Sequence, residues 1–246
     1  QPFGLHLREG SAIAIEHLRS ELDGKAHVEK VTQLLAHELK SPIAAVRGAS
    51  ELLEEEHDAA RRSRLEGNIR QETARMQGIV EGVLNLARAE NMNTLAARET
   101  IDLTELIAET LDMRQARLAE KHLKTETSVE PSLALQGDRF LLRQALLNLL
   151  DNAIDFSPAG GNIHLLAARQ DSAVEIRVRD HGDGIPDYAQ PRLFERFYSS
   201  PRPQTGKRGT GLGLNLVEQA ARLHGGGITL TNHPQGGAEA ILRLTA

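Results

Sequence analysis

Apolar residues recur at helical spacing through roughly the first ninety positions of the chain, and this periodicity constrains the fold more than any other feature. Between Ser11 and about Glu54 it predicts one or two amphipathic helices, whose apolar positions are Ile13, Leu18, Leu22, Val28, Val31, Leu35, Leu39, Ile43, Val46 and Leu53. A charged cluster at 54–58 ends the pattern, which resumes from Leu65 to Leu86. We therefore predict a helical hairpin with a charged tip.

Two helices that carry one apolar stripe each cannot enclose a hydrophobic core by themselves. Pairing with a second copy of the hairpin would bury both stripes in a four-helix bundle. We therefore predict a homodimer that is held together by this all-α segment.

The character of the sequence changes after Glu90, where strand patterns begin to alternate with helical ones. The predicted strands are 100–103, 124–129, 162–168, 174–179, 228–231 and 238–244, and the predicted helices are 103–120, 139–156, a short one near Arg192, and 214–223. Strands and helices mixed in this way predict a second domain, an α/β sandwich with the helices on one face of the sheet.

Composition excludes several classes of function. The chain has 29 basic and 34 acidic residues, and its net charge of −5 shows no concentrated basic footprint for nucleic acid. Cysteine is absent, which rules out disulfides, thiolate metal sites and cysteine nucleophiles. No apolar run reaches the roughly 18 residues that a membrane-spanning helix needs. The chain begins at Gln1 without a methionine or a signal-peptide pattern, so we expect a fragment of a longer protein.

His37 lies inside the first predicted helix, in the segment 35–42. An imidazole near neutral pH offers one nucleophilic nitrogen, and its other nitrogen can donate a hydrogen bond. Glu38 could accept that bond as a base, and Ser41 shares a helical face with His37, where its hydroxyl could orient a water. Pro42 cannot donate to the carbonyl of Glu38 and should bend the helix. Since a lone exposed histidine on a helix is most often only solvated, the pattern needs support from the rest of the chain.

Three further motifs offer ligand-binding groups. Asn148 and Asn152 are spaced to share one helix face, where their amide oxygens suit a hard cation such as Mg²⁺. Asp180 begins an Asp-x-Gly-x-Gly turn after a strand and could accept a hydrogen bond from the exocyclic amine of a purine. The glycines of 209–213 open a helix, where exposed amides suit phosphates. Each motif alone also fits an ordinary structural role, namely a polar helix face, a strand-ending turn and a flexible hinge.

The order and spacing of these motifs resemble those of the sensor histidine kinases over roughly residues 28–246. The matching run is Asn-x-x-x-Asn at 148–152, Asp-x-Gly-x-Gly at 180–184, Phe-Glu-Arg-Phe-Tyr at 194–198 and Gly-Thr-Gly-Leu-Gly-Leu at 209–214, with the histidine segment upstream. The resemblance implies a Bergerat-type (GHKL) ATP site, in which Asp180 holds adenine and Asn152 and Asn148 hold Mg²⁺. The implied nucleotide-binding residues are Asn148, Asn152, Phe156, Asp180, Gly182, Gly184, Ile185, Phe194, Phe197, Gly209, Thr210, Gly211, Leu212 and Gly213.

The resemblance also implies how the chain is divided. Residues 1–27 would be a signalling helix from an upstream sensor, 28–97 the dimerisation and histidine phosphotransfer domain, and 98–246 the catalytic ATP-binding domain. His37 would take the γ-phosphoryl group with Glu38 as base and pass it to an aspartate of a response regulator, while Ser41 would serve the reverse, phosphatase reaction. The chain would then be the cytoplasmic part of an inner-membrane sensor.

Between the Asp-x-Gly-x-Gly turn and the glycine loop, the resemblance implies a mobile lid at about 186–208, anchored by the packing of Phe194 and Phe197. Its cations are candidates to meet the γ-phosphate, and they are Arg196, Arg202, Lys207 and Arg208. One position departs from the family pattern. Where the family usually has a lysine three residues after the second asparagine, this chain has Asp155, which cannot pair with a phosphate.

Two other functions remain open from the sequence. ATPases of the same superfamily, of the gyrase, Hsp90 or MutL kind, place a glutamate four residues before the asparagine to activate water, but here that position is Asn148, which has no basicity. A structural coiled-coil dimer with a nucleotide-sensing cap would keep the ATP site without needing Glu38 or Ser41. Acid-labile, base-stable label from γ-labelled ATP on the protein would separate a kinase from both alternatives.

Overall fold

The computed structural model describes residues 32–33, 35–90, 92, 95, 98–203, 206 and 208–245. The chain divides into two compact units, Gln1–Gln77 and Gly78–Ala246. The predicted signalling helix at 1–27, the beginning of the first predicted helix and Lys207 lie outside the described residues.

Within the described residues, each helix is too short or too polar to cross a lipid bilayer.

The first unit contains the predicted helical hairpin. Helix α1 spans residues 35–55 and runs through Pro42, and helix α2 spans Ala59–Glu90 and continues into the second unit. The tip is charged, as predicted, and its charges make specific bonds. The Asp58 carboxylate accepts a hydrogen bond from the Arg61 amide at 2.8 Å, which caps α2. Arg62 donates to the carbonyls of Leu53 and Glu56, both at 3.0 Å, and so ties the end of α1 to the start of α2.

The second unit mixes strands and helices. Its elements are β1 (Glu99–Asp102), α3 (Leu103–Asp112), α4 (Gln115–Glu120), β2 (Lys124–Val129), β3 (Ala134–Gly137), α5 (Arg139–Phe156), β4 (Asn162–Gln170), β5 (Ala173–Arg179), a 3₁₀ turn (Gln190–Arg192), α6 (Gly213–Leu223), β6 (Gly227–Asn232) and β7 (Ala238–Thr245). Aspartates define two of the helix starts. Asp102 accepts from the amides of Thr104 and Glu105 at α3, and Asp138 accepts from the amide of Leu141 at α5.

A five-stranded sheet with the order β2-β4-β5-β7-β6 forms the framework of the second unit. β2 runs parallel to β4, while the β4/β5, β5/β7 and β7/β6 pairs are antiparallel. β1 and β3 form a separate two-stranded ribbon, in which Glu99 pairs with Gly137 and Asp102 with Ala134. Because β7 lies between β5 and β6, the turn after β6 returns the chain to the end of β5, where Asp180 lies.

The helices cover one face of the five-stranded sheet, which confirms the predicted sandwich. Alternate residues of β4 are buried toward them, namely Ile163, Leu165 and Ala167, while Leu166 on the opposite face is 40% exposed. α5 packs on β5 and α6 packs on β6 and β7. α5 is central, because nine of its residues are buried, and a leucine-to-alanine change at Leu146 or Leu150 should cost about 2–5 kcal/mol of stability.

One prediction for this unit is wrong, and one strand was missed. The helix predicted over 103–120 is broken at Met113 and Arg114, so that α3 and α4 are separate. Arg114 leaves the helical conformation there, and its guanidinium binds the carboxylate of Asp151 on α5 at 2.6 and 2.9 Å. Strand β3 was not predicted, because four residues are too few to show a period and its partner β1 lies more than thirty residues earlier.

Candidate functional site

His37 projects from α1 into solvent, with 84% of its side chain exposed. Its Nδ1 lies 3.8 Å from Glu38 Oε1, so the two groups are neighbours without a full hydrogen bond. Glu38 is more enclosed, and its other carboxylate oxygen lies 3.4 Å from Arg75 Nη2 of α2. Arg75 in turn approaches Glu72 at 3.9 Å. α2 therefore orients Glu38 through Arg75, a contact that the sequence did not reveal.

Ser41 is exposed on α1, four residues after His37, whereas Pro42 is buried. Because α1 continues through Pro42, the histidine and the hydroxyl lie on one helical face, as the spacing predicts. The missing amide of Pro42 leaves the carbonyl of Glu38 without its helical donor. The first unit thus presents an imidazole, a carboxylate and a hydroxyl between positions 37 and 41 of one helix.

In the second unit, Asp180 follows the end of β5 and is only 7% exposed. Its Oδ1 accepts hydrogen bonds from the amides of Gly182 at 2.8 Å and Ala238 at 3.1 Å. Burial raises the pKa of Asp180 above its ordinary value, and these two amides oppose the rise. Among the described residues no donor binds Oδ2, which leaves that oxygen available to a ligand amine.

The glycine turn after Asp180 packs too closely for side chains. A Cβ on Gly182 would lie 2.3 Å from the carbonyl oxygen of Phe156, at the end of α5. Gly184 has φ +78°, and a Cβ there would lie 2.7 Å from Asn232 Oδ1. The Asn232 side chain accepts from the amide of Ile185 at 2.6 Å and donates to its carbonyl at 2.9 Å. The turn is therefore fixed from α5 on one side and from the end of β6 on the other.

Asn148 and Asn152 lie half-buried on α5. Neither amide has a hydrogen-bond partner among the described residues. A Cβ on Gly213 would lie 2.9 Å from Asn148 Oδ1, so Asn148 borders the start of α6. Free amide oxygens beside a helix N-terminus fit a cation that is shared with phosphate oxygens.

The glycine loop at 209–213 is held against the Phe-Glu-Arg-Phe-Tyr segment. Gly211 has φ +68°, and a Cβ there would lie 2.3 Å from the carbonyl carbon of Phe197. The amide of Phe197 donates to the Gly211 carbonyl at 2.8 Å, and Phe197 itself has φ 62°. Asn215 of α6 donates to the Phe194 carbonyl at 2.5 Å. Both phenylalanines therefore contact the loop and α6 through their backbones.

Two family models match the chain. The "His Kinase A (phospho-acceptor) domain" matches residues 28–91, which include His37, and "Histidine kinase-, DNA gyrase B-, and HSP90-like ATPase" matches residues 137–246, which include both asparagines, Asp180 and the glycine loop. The chain belongs to the sensor histidine kinases.

Sensor protein CreC of Escherichia coli (strain K12) is 44% identical over 234 residues, which are 95% of this chain and 48% of that protein. Signal transduction histidine-protein kinase AfsQ2 of Streptomyces coelicolor is 33% identical over 85% of this chain and 40% of its own length. The chain thus spans about half the length of these relatives.

Solved histidine kinases share the fold. Full-length ShkA in complex with AMPPNP has a TM-score of 0.61 and 27% identity over 89% of this chain and 46% of its own. Histidine kinase ThkA in complex with response regulator protein TrrA has a TM-score of 0.73, and the match covers 94% of this chain and 66% of that chain. At 20% sequence identity, this similarity supports the fold alone.

Two arginines of the predicted lid, Arg196 and Arg202, bind carboxylates of helices. Arg196 binds Glu90 at the end of α2, and Arg202 binds Asp155 of α5 at 2.5 Å. Arg208 is exposed. Asp155, which replaces the lysine of the histidine kinase pattern, therefore forms an ion pair with Arg202.

Several residues that contact the predicted nucleotide-binding residues were not themselves predicted. Asn232 fixes the Gly184 turn, and Ser199 accepts a hydrogen bond from the Gly209 amide at 2.8 Å. Gly237 has φ +79°, and a Cβ there would lie 2.0 Å from the Asp180 carbonyl oxygen. Residues 236–237 lie between the predicted strands 228–231 and 238–244, and their approach to Asp180 depends on the pairing of β5 with β7.

Proposed function

We propose that this chain is the catalytic core of an ATP-dependent protein-histidine kinase that phosphorylates its own His37. The observation that supports this most strongly is the buried Asp180, whose Oδ1 is occupied by two backbone amides and whose Oδ2 is available to the exocyclic amine of adenine. Such a carboxylate selects a purine whose exocyclic group is a hydrogen-bond donor. A purine with a carbonyl at that position would leave the buried Oδ2 without a hydrogen bond.

ATP would bind between α5, the Asp180 turn and the glycine loop. The oxygens of Asn148 and Asn152 would hold Mg²⁺, which neutralises phosphate charge when bound, and amides of the loop would face the phosphates. The implied contacts of Phe156, Ile185, Thr210 and Leu212 belong to the same proposal. The two asparagines fit this role because their amides are free of partners among the described residues.

His37 would act as the nucleophile. Its Nδ1 faces Glu38, so Nε2 would form the new nitrogen–phosphorus bond while the bond from the γ-phosphorus to the bridging oxygen breaks and ADP leaves. Glu38 would accept the hydrogen bond from Nδ1–H and stabilise the positive charge that develops on the ring. Arg75 keeps the carboxylate in place.

The experiment is incubation of the chain with γ-labelled ATP and Mg²⁺, followed by measurement of acid-labile, base-stable label on the protein. His37→Gln should abolish the label and leave ATP affinity unchanged. Asp180→Asn should remove ATP binding. Label that persists on histidine in the His37 variant would show that His37 is not the acceptor.

A GHKL-type ATPase is the second candidate function, and a nucleotide-sensing structural dimer is the third. Asn148 argues against the ATPase, because an amide cannot take a proton from water where the ATPases have a glutamate. The same labelling experiment separates them: free phosphate without protein label would indicate an ATPase, and bound nucleotide without turnover would indicate the structural dimer.

We also infer the partners of the kinase. The phosphoryl group on His37 would pass to an aspartate of a response regulator, one of the CreB kind given the similarity to CreC. The hairpin would dimerise with a second copy. Residues 1–27 would connect to an upstream sensor, and the chain would then lie on the cytoplasmic side of the inner membrane. Domain boundaries at 28–97 and 98–246 are part of this proposal.

A further inference from the structure

The carboxylate of Asp155 lies between two guanidinium groups from different elements of the second unit. Its Oδ1 is 2.6 Å from Arg117 Nη2 of α4, and its Oδ2 is 2.5 Å from Arg202 Nη2. The Asp155 side chain is only 13% exposed. Both carboxylate oxygens are therefore used by cations, and enclosed, charge-assisted bonds of this kind are stronger than ion pairs on open surface.

The guanidinium of Arg202 also borders the glycine loop. A Cβ on Gly209 would lie 3.4 Å from Arg202 Nη2. Asp155 follows Asn152 by three residues, so the two side chains lie on neighbouring positions of one α5 face. Arg202 thus lies between the end of α5 and the loop, the two elements proposed to hold Mg²⁺ and phosphate.

The surrounding charge is positive even with Asp155 present. Two carboxylates face four cations, since Asp151 binds Arg114 and Arg117, Asp155 binds Arg117 and Arg202, and Lys121 donates to the Ile154 carbonyl at 2.6 Å. Burial is the main cause that lowers the pKa of Lys121; the negative charge of Asp155 opposes this decrease, while Arg117 and Arg202 add to it. A lysine in place of Asp155 would add a fifth cation and release Arg202.

We propose that Asp155 is a positioning residue for nucleotide binding, which holds Arg202 at the phosphate end of the ATP site. The guanidinium then supplies the positive charge for which relatives use a lysine on α5. This inference rests on the proposed ATP site and concerns the source of one charge within it.

A double-mutant cycle on the whole chain tests the proposal by calorimetric titration with Mg-ATP and, separately, with adenosine. The variants are Asp155→Asn, Arg202→Gln and the double variant. Each single change should raise the Kd for Mg-ATP about five-fold, which corresponds to a coupling of about 1 kcal/mol, and leave the Kd for adenosine unchanged. The double variant should bind Mg-ATP no more weakly than Arg202→Gln, because Asp155 acts through Arg202.

Additive effects in the cycle, or an equal loss of adenosine affinity, would overturn the proposal and leave Asp155 a merely structural residue. Asp151→Asn is the matched control, because it removes a neighbouring carboxylate that binds Arg117 but not Arg202, and it should leave the Kd for Mg-ATP unchanged. If Asp155→Asn fails to fold, Arg202→Gln decides alone, and an unchanged Kd for Mg-ATP in that variant contradicts the proposal. Wild-type chain that binds neither ligand would contradict the proposed ATP site itself, an outcome distinct from additivity.

Discussion

Ser41 is the residue whose role is most easily separated from that of His37. It is exposed on the same α1 face, and the contacts of Glu38 among the described residues go to His37 and Arg75 rather than to Ser41. Ser41→Ala should therefore leave autophosphorylation within about two-fold while slowing dephosphorylation of the response regulator by about 10²-fold, the scale of losing one positioned proton-transfer or orienting group. The measurement is release of phosphate from phosphorylated regulator. Ser50→Ala, which changes an exposed serine further along α1, is the control.

Asp180 should give the nucleotide site a pH dependence. Burial raises the pKa of this carboxyl above its ordinary value of 3.8, and a proton on Oδ2 would turn the acceptor that the adenine amine needs into a donor. Adenosine affinity should therefore fall as pH decreases through that raised pKa, at a higher pH than an ordinary aspartate would produce. Titration with adenosine avoids protonation of phosphates. An affinity that stays constant until the ordinary range of an aspartate would contradict this assignment.

At the scale of elements, the glycine loop at 209–213 packs closely against the backbone of Phe197. Gly211 and Gly206 both have a left-handed backbone, with φ +68° and +66°, but only Gly211 lacks room for a Cβ. Gly206→Ala should cost about 1 kcal/mol of local strain and leave ATP affinity unchanged. Gly211→Ala must also displace the Phe197 backbone, so it should weaken Mg-ATP binding by more than about ten-fold. Equal affinities of the two variants in titration calorimetry would show that this contact does not shape the site.

His224, which ends α6, links stability to pH. It is 4% exposed, its Nδ1 lies 2.7 Å from the Ala220 carbonyl, and its Nε2 accepts from the Asp138 amide at 3.0 Å. Burial lowers its pKa below 6.5, so the unfolded chain takes up a proton before the folded chain does. The stabilising contribution is complete above about pH 6.5 and is lost as pH falls toward the folded pKa.

The measurement for His224 is the free energy of unfolding in urea between about pH 7.5 and about pH 5. His224→Gln should lower the free energy of unfolding at the higher pH, and it should make that free energy fall less as the pH is lowered. His57→Gln, which changes an exposed histidine at the hairpin tip, should leave both unchanged. A wild-type decline equal to that of His224→Gln would remove His224 as the cause.

The elements that were predicted well are those whose local pattern is long. The bounds of β2 and α5 agree with the predicted 124–129 and 139–156, because strand alternation and a helix with nine buried residues are readable over that length. The break at Arg114 could not be predicted, since it depends on Asp151, which lies 37 residues later. The same limit applies to the site: Asp180 and its glycines form a local motif, whereas Asn232 and Gly237 reach them only through strand pairing.

At the scale of the whole molecule, the predicted homodimer depends on apolar surface that one chain leaves uncovered. Val80 and Leu84 of α2 are 45% and 58% exposed and lie four residues apart, hence on one helical face. The double variant Val80→Glu/Leu84→Glu should shift the dimer toward monomer, because burial of unpaired carboxylates in an apolar interface is costly. Light scattering coupled to size-exclusion chromatography measures the mass. Leu166→Glu, at an exposed apolar position on the sheet, should leave the mass unchanged.

The hydrogen bond from the Ala238 amide to Asp180 spans 58 residues of sequence. During synthesis, the carboxylate therefore gains its second donor only after the ribosome has made β7, which is also the second strand to pair with β5. A nascent kinase that already carries His37 and the asparagine pair still lacks a finished adenine pocket. If Asp180 binds adenine as proposed, nucleotide binding would therefore require the completed sheet.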